Sequence, residues 1–130
     1  MEVHHVGIAT DDGAAATALF TDLFDAPVVH RERLPDRNLA VTFVDLGDAF
    51  LELLAPTAPE GPIAEYLDRS GPGIHHLAVA VDDLSGTLDR VAAAGFDLVD
   101  EGPRPGAWGH DVAFLYPGST GGVLVELVET

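Results

Sequence analysis

At 130 residues and 47% apolar content, the chain has the length of one domain and enough apolar side chains for a core, which excludes global disorder. Twenty-two acidic residues stand against six basic ones, for a net charge of −16. That field excludes a nucleic-acid partner and disfavours an anionic membrane surface, and the absence of cysteine removes disulfides and thiol nucleophiles.

In chain order, Val3–Ala9 is rich in β-formers and runs into Asp11-Asp12, a helix N-cap signal. Ala16, Leu19, Phe20 and Leu23 fall on one helical face, and Pro27 closes that helix region. Strands are predicted at Val28–Glu32, Leu39–Leu46 and Ala49–Leu54, separated by turns at Pro35-Asp36 and Gly47-Asp48. Pro62–Leu67 reads as a short helix with proline at its first position. A strand at His75–Val81 and a helix over Leu84–Ala94 follow, then strands near Asp97–Val99, Asp111–Tyr116 and Val123–Val128. No stretch approaches the ~20 apolar residues of a membrane helix, and the first residues carry no basic, apolar leader. The expectation is a soluble, cytoplasmic protein. Acidic, lysine-free and core-rich composition further points to a cytoplasm of very high salt, where at ~1 M the Debye length falls to roughly 3 Å.

An internal repeat organises these elements. His4-His5-Val6-Gly7-Ile8-Ala9-Thr10-Asp11-Asp12 aligns with His75-His76-Leu77-Ala78-Val79-Ala80-Val81-Asp82-Asp83. At the same spacing Val41–Val44 matches Val112–Leu115, and after a short insertion Leu51–Leu54 matches Val125–Val128. Each copy reads as strand, helix, then three strands, so the chain is an α+β domain of two tandem βαβββ modules. Module 1 covers residues 1–56, a linker helix region 57–73, and module 2 residues 74–130.

Strand alternation separates the paired histidines. His4 and His75 share faces with bulky residues (Val6 and Ile8; Leu77, Val79 and Val81) and should pack toward the helix layer. His5 and His76 share faces with Gly7, Ala9, Ala78 and Ala80, which leave an open concavity. Glu52 and Glu126 lie within apolar strands, where a carboxylate is rarely buried without a partner. A lone strand histidine is usually a packed or surface residue, and a lone glutamate an edge residue. Their recurrence at matching positions favours one site for a divalent metal, built from His5, Glu52, His76 and Glu126 with nitrogen and oxygen ligands. His30 and His110 have no repeat counterpart and read as surface or rim residues, and Glu2 and Glu129 as solvated terminal charges.

These modules resemble the vicinal oxygen chelate superfamily of glyoxalase I, extradiol dioxygenases and bleomycin-resistance proteins, and within it the methylmalonyl-CoA epimerases. The likeness is carried by His5–Ala9, Val44-Asp45-Leu46-Gly47, Glu52–Pro56, Pro62–Leu67, Gly73–Leu77, Gly106-Ala107-Trp108-Gly109 and Gly121–Leu127. It implies a curved mixed sheet around a metal-binding cleft, with His5, Glu52, His76 and Glu126 as ligands of one Co2+, Mn2+, Ni2+ or Zn2+. It implies an acyl-CoA substrate and a homodimer. It also implies epimerisation of (R)- and (S)-methylmalonyl-CoA through C2 proton abstraction and a metal-stabilised enolate. Glu126 is the leading base and Glu52 its counterpart for the opposite face. Arg104, Trp108, Gly109 and Arg37 are the substrate-contact candidates. Where some epimerases carry a second catalytic glutamate this chain has Val41, and Tyr116-Pro117-Gly118 replaces a frequent His-Pro-Lys. The alternatives are another metal enzyme of the superfamily, a glyoxalase-like lyase or dioxygenase, and a non-catalytic binder of small molecules.

Overall fold

The computed structural model describes all residues, Met1–Thr130. Eight strands and three helices alternate as β1 (Glu2–Ala9), α1 (Gly13–Phe24), β2 (Val28–Leu34), β3 (Leu39–Asp45), β4 (Phe50–Pro56), α2 (Pro62–Ser70), β5 (Gly73–Ala80), α3 (Leu84–Ala93), β6 (Arg104–Pro105), β7 (Asp111–Leu115) and β8 (Val125–Glu129). The chain forms two compact units, His5–His75 and His76–Thr130, the second also taking Met1–His4. The divisions therefore fall inside β1 and β5, between the two histidines of each pair.

The units share one plan. In the first, β1 runs parallel to β4, β4 pairs antiparallel with β3, and β3 with β2. In the second, β5 runs parallel to β8, followed by antiparallel β7 and β6. Both helices that follow the first strand start on a repeated aspartate. Asp12 accepts from Ala15 N at 3.0 Å and Asp83 from Gly86 N at 3.1 Å, satisfying amides the helix itself leaves unpaired. Each helix covers the bulky strand face. Val44, Leu51 and Leu53 pack with Val6, Ile8, Ala16 and Phe20 in one unit. Val81, Leu84, Leu88, Ala113 and Leu127 pack with Val79 in the other. No helix is long and apolar enough to cross a membrane.

The structure differs from the sequence-based expectation at three places. The strand predicted near Asp97–Val99 is reduced to one bridge, Leu98 to Leu115. The Asp100 carboxylate takes the Phe114 N–H at 2.9 Å, a donor that a longer ladder would have used, and Gly102-Pro103 then turns the chain. Besides β8, the strand that pairs with β7 is the two-residue β6. Glu129 is no idle terminal charge: its carboxylate accepts from Leu84 N at 2.9 Å, a second acidic group on the positive end of α3. Finally, the outer histidines meet rings outside α1 and α3. His75 meets the Tyr66 ring of α2 edge-on at 4.8 Å, and His4 meets His110 at 5.3 Å.

Candidate metal centre

Two buried histidine–glutamate pairs hold equivalent places in the two units. In the first, register sets Gly7 of β1 against Glu52 of β4. Glycine offers no side chain there, so the carboxylate can lie back toward His5, two residues earlier on the same face. His5 Nε2 and Glu52 Oε1 are 3.3 Å apart. In the second unit Ala78 stands against Glu126, again a small residue, and His76 Nε2 lies 3.7 Å from Glu126 Oε1.

Each pair has an aromatic wall that sequence reading matched in the repeat but gave no role. Phe43 is the cross-strand neighbour of Glu52, and its ring meets His5 edge-to-face at 5.6 Å and 87°. Phe114 is the neighbour of Glu126 and meets His76 at 5.7 Å and 81°. Such contacts fix the plane of an imidazole and so the direction of its nitrogen lone pair. They also exclude water. The small residues on this face lead one to expect rings open to solvent, yet His5 and His76 are only 3% and 4% exposed, and Glu52 and Glu126 6% and 7%.

That burial tests the fit of a metal. Two carboxylates removed from water are costly unless a cation balances them. Neutral imidazole and carboxylate, without sulfur, form a donor set suited to a divalent first-row ion. The residues present fit such an ion.

The remaining site candidates lie as follows. Arg104 in β6 is held by Asp100, Nε to Oδ1 3.1 Å, and its guanidinium sits 5.5 Å from the Phe114 ring centre, on the aromatic that walls His76. Trp108 occupies a 3-10 turn, Ala107–Gly109, at φ +62°, a left-handed conformation that is costly for a bulky residue. Its indole leans on His110 at 5.8 Å, and Gly109 follows at φ +70°. Arg37 ends the turn Pro35–Arg37. Its carbonyl would lie 2.9 Å from a Cβ on Gly61, so that glycine lets the turn approach the start of α2. His30 is half-buried, with its Nε2 3.0 Å from Glu32 Oε1. Val41 is buried beside them, opposite Glu32 across the β2–β3 ladder.

Known proteins resemble this chain along most of its length. The glyoxalase/bleomycin resistance protein/dioxygenase superfamily matches residues 4–114. An ethylmalonyl-CoA/methylmalonyl-CoA epimerase of Cereibacter sphaeroides is 37% identical over 127 residues, covering 96% of this chain and 95% of that protein. The crystal structure of methylmalonyl-CoA epimerase from Mycobacterium tuberculosis superimposes with a TM-score of 0.93 at 35% identity, over 98% of this chain and 87% of the other. A Streptomyces coelicolor methylmalonyl-CoA epimerase variant in complex with 2-nitronate-propionyl-CoA gives 0.93 at 27% identity, over 100% and 94%. The chain belongs to the glyoxalase/bleomycin resistance protein/dioxygenase superfamily and, within it, to the methylmalonyl-CoA epimerase family.

Proposed function

We propose that this protein interconverts (R)- and (S)-methylmalonyl-CoA. The observation that carries this reading is the duplicated, buried histidine–glutamate pair, supported by relatives and structural neighbours named as epimerases of this substrate. His5, Glu52 and His76 form a buried group of the kind that holds a metal ion, and Glu126 completes the ligand set. A divalent ion held there would supply a Lewis acid for the thioester and carboxylate of the substrate.

The chain's own groups handle the proton. Glu126 accepts it from C2, and the C–H electron pair moves into the enolate. Glu52, entering the cycle as the carboxylic acid, donates its proton to the opposite face of C2, and the enolate pair returns to form the new C–H bond; once the product leaves, solvent takes the proton from Glu126 and returns one to Glu52. Two carboxylates related by the internal repeat suit a substrate and product that are near mirror images at one carbon. Phe43 and Phe114 screen the enolate from water while the substrate is bound, and the two carboxyl groups exchange with solvent between turnovers.

The test is deuterium incorporation at C2 of methylmalonyl-CoA in deuterated buffer, followed with added divalent metal and with chelator. The reading requires exchange with metal and its loss with chelator. No exchange under either condition overturns it.

The proposal extends to salt. Coenzyme A is polyanionic and the protein carries −16, so dilute buffer opposes encounter and lets the carboxylates repel one another. We expect kcat/KM to rise between dilute buffer and molar potassium chloride, with circular dichroism at each step separating refolding from encounter. A steady fall in a protein that stays folded overturns adaptation to high salt.

A further inference from the structure

Half of the chain's basic residues fall within seven positions: Arg31, Arg33 and Arg37. Arg31 and Arg33 are both exposed and lie two apart on β2, so they project from the same face, about 7 Å from each other. Their cross-strand neighbours, Thr42 and Ala40, are neutral. Arg104 is matched by Asp100, but neither Arg31 nor Arg33 enters an ion pair. In a chain with 22 acidic residues, two adjacent like charges with no acid beside them are an electrostatic cost that an anion would relieve. Guanidinium forks at this spacing suit phosphate oxygens.

We propose that the Arg31–Arg33 face of β2 docks the phosphate groups of the coenzyme A tail, an inference that rests on the acyl-CoA reading above. Alternation along β2 links this face to the site. Between and before the arginines, Glu32 and His30 project to the other side of the strand, where His30 stands 6.1 Å from Phe43, the wall of His5. Because β2 pairs with β3 alone, no further strand blocks its free edge. A substrate with its acyl end on the His5–Glu52 face reaches the arginines by crossing that edge, and an arm as long and thin as pantetheine can do so. A bare edge-strand function, repelling other strands, asks only for charge of either sign; this chain, rich in Asp and Glu, places arginine there.

The experiment is calorimetric titration of the intact protein and of the R31Q/R33Q and R31K/R33K variants with coenzyme A, pantetheine and inorganic phosphate. In R31Q/R33Q the affinity for coenzyme A should fall about tenfold, with pantetheine binding unchanged; R31K/R33K, which keeps the charge and loses the fork, should fall between that variant and the unsubstituted protein. Unchanged coenzyme A binding in R31Q/R33Q overturns the proposal, as does an equal loss for pantetheine. Inorganic phosphate binding as tightly as coenzyme A also overturns it, since the site is then a general anion site. The outcomes are separable from those of the epimerase reading. Coenzyme A binding that depends on the arginines, in a protein that exchanges no C2 proton, retains the docking face and removes the reaction.

Discussion

Glu126→Gln should lower deuterium incorporation at C2 of methylmalonyl-CoA by about 10² to 10⁴-fold, the range a positioned general base contributes. Glutamine preserves the length of the side chain and one oxygen, so the space beside Ala78 and the edge contact between Phe114 and His76 should survive. What it loses is the ability to take a proton. The variant should therefore keep part of its metal and its melting temperature while losing exchange, and metal analysis beside the exchange assay separates the two. An exchange rate near that of the unsubstituted protein would move the base elsewhere. Glu52 is then the first candidate, already on the buried face of β4. Asp36, exposed in the turn Pro35–Arg37, is the next.

The second large effect separates neighbouring histidines. His76→Ala should lower metal affinity by more than about a hundredfold, beyond what loss of a supporting residue around a ligand costs. His75→Ala should leave metal content intact. Its ring packs edge-on against Tyr66 of α2, so its loss should appear as a drop of a few degrees in melting temperature, on the order of 1 kcal/mol for an aromatic pair. Metal analysis and thermal melts of both purified variants give the answer. Equal metal retention in the two removes His76 from the ligand set.

That contrast rests on a reading available from sequence, since side chains alternate along a strand whatever it packs against. The two βαβββ modules, the bounds of β1, α3 and β7 to within two residues, and the aspartates that start α1 and α3 follow from short-range rules and from repetition. Local patterns carry no register between distant strands. Nothing in the segment Phe50–Leu54 says that Glu52 stands against Gly7, and that register is what brings it to 3.3 Å from His5. Phe43 and Phe114 have no role in the sequence beyond their match in the repeat; pairing sets each beside a glutamate and against a histidine ring. The same gap explains the missing strand near Asp97–Val99. Propensity favours it, but a carboxylate three residues after Asp97 captures the amide of Phe114 across the fold. It also explains Glu129, whose place at the end of a strand gives no hint of the α3 amide it meets. Residue types and their periodicity determined which groups this protein could use. Strand register and burial, set by the free energy of the whole packed chain, decided which of them meet.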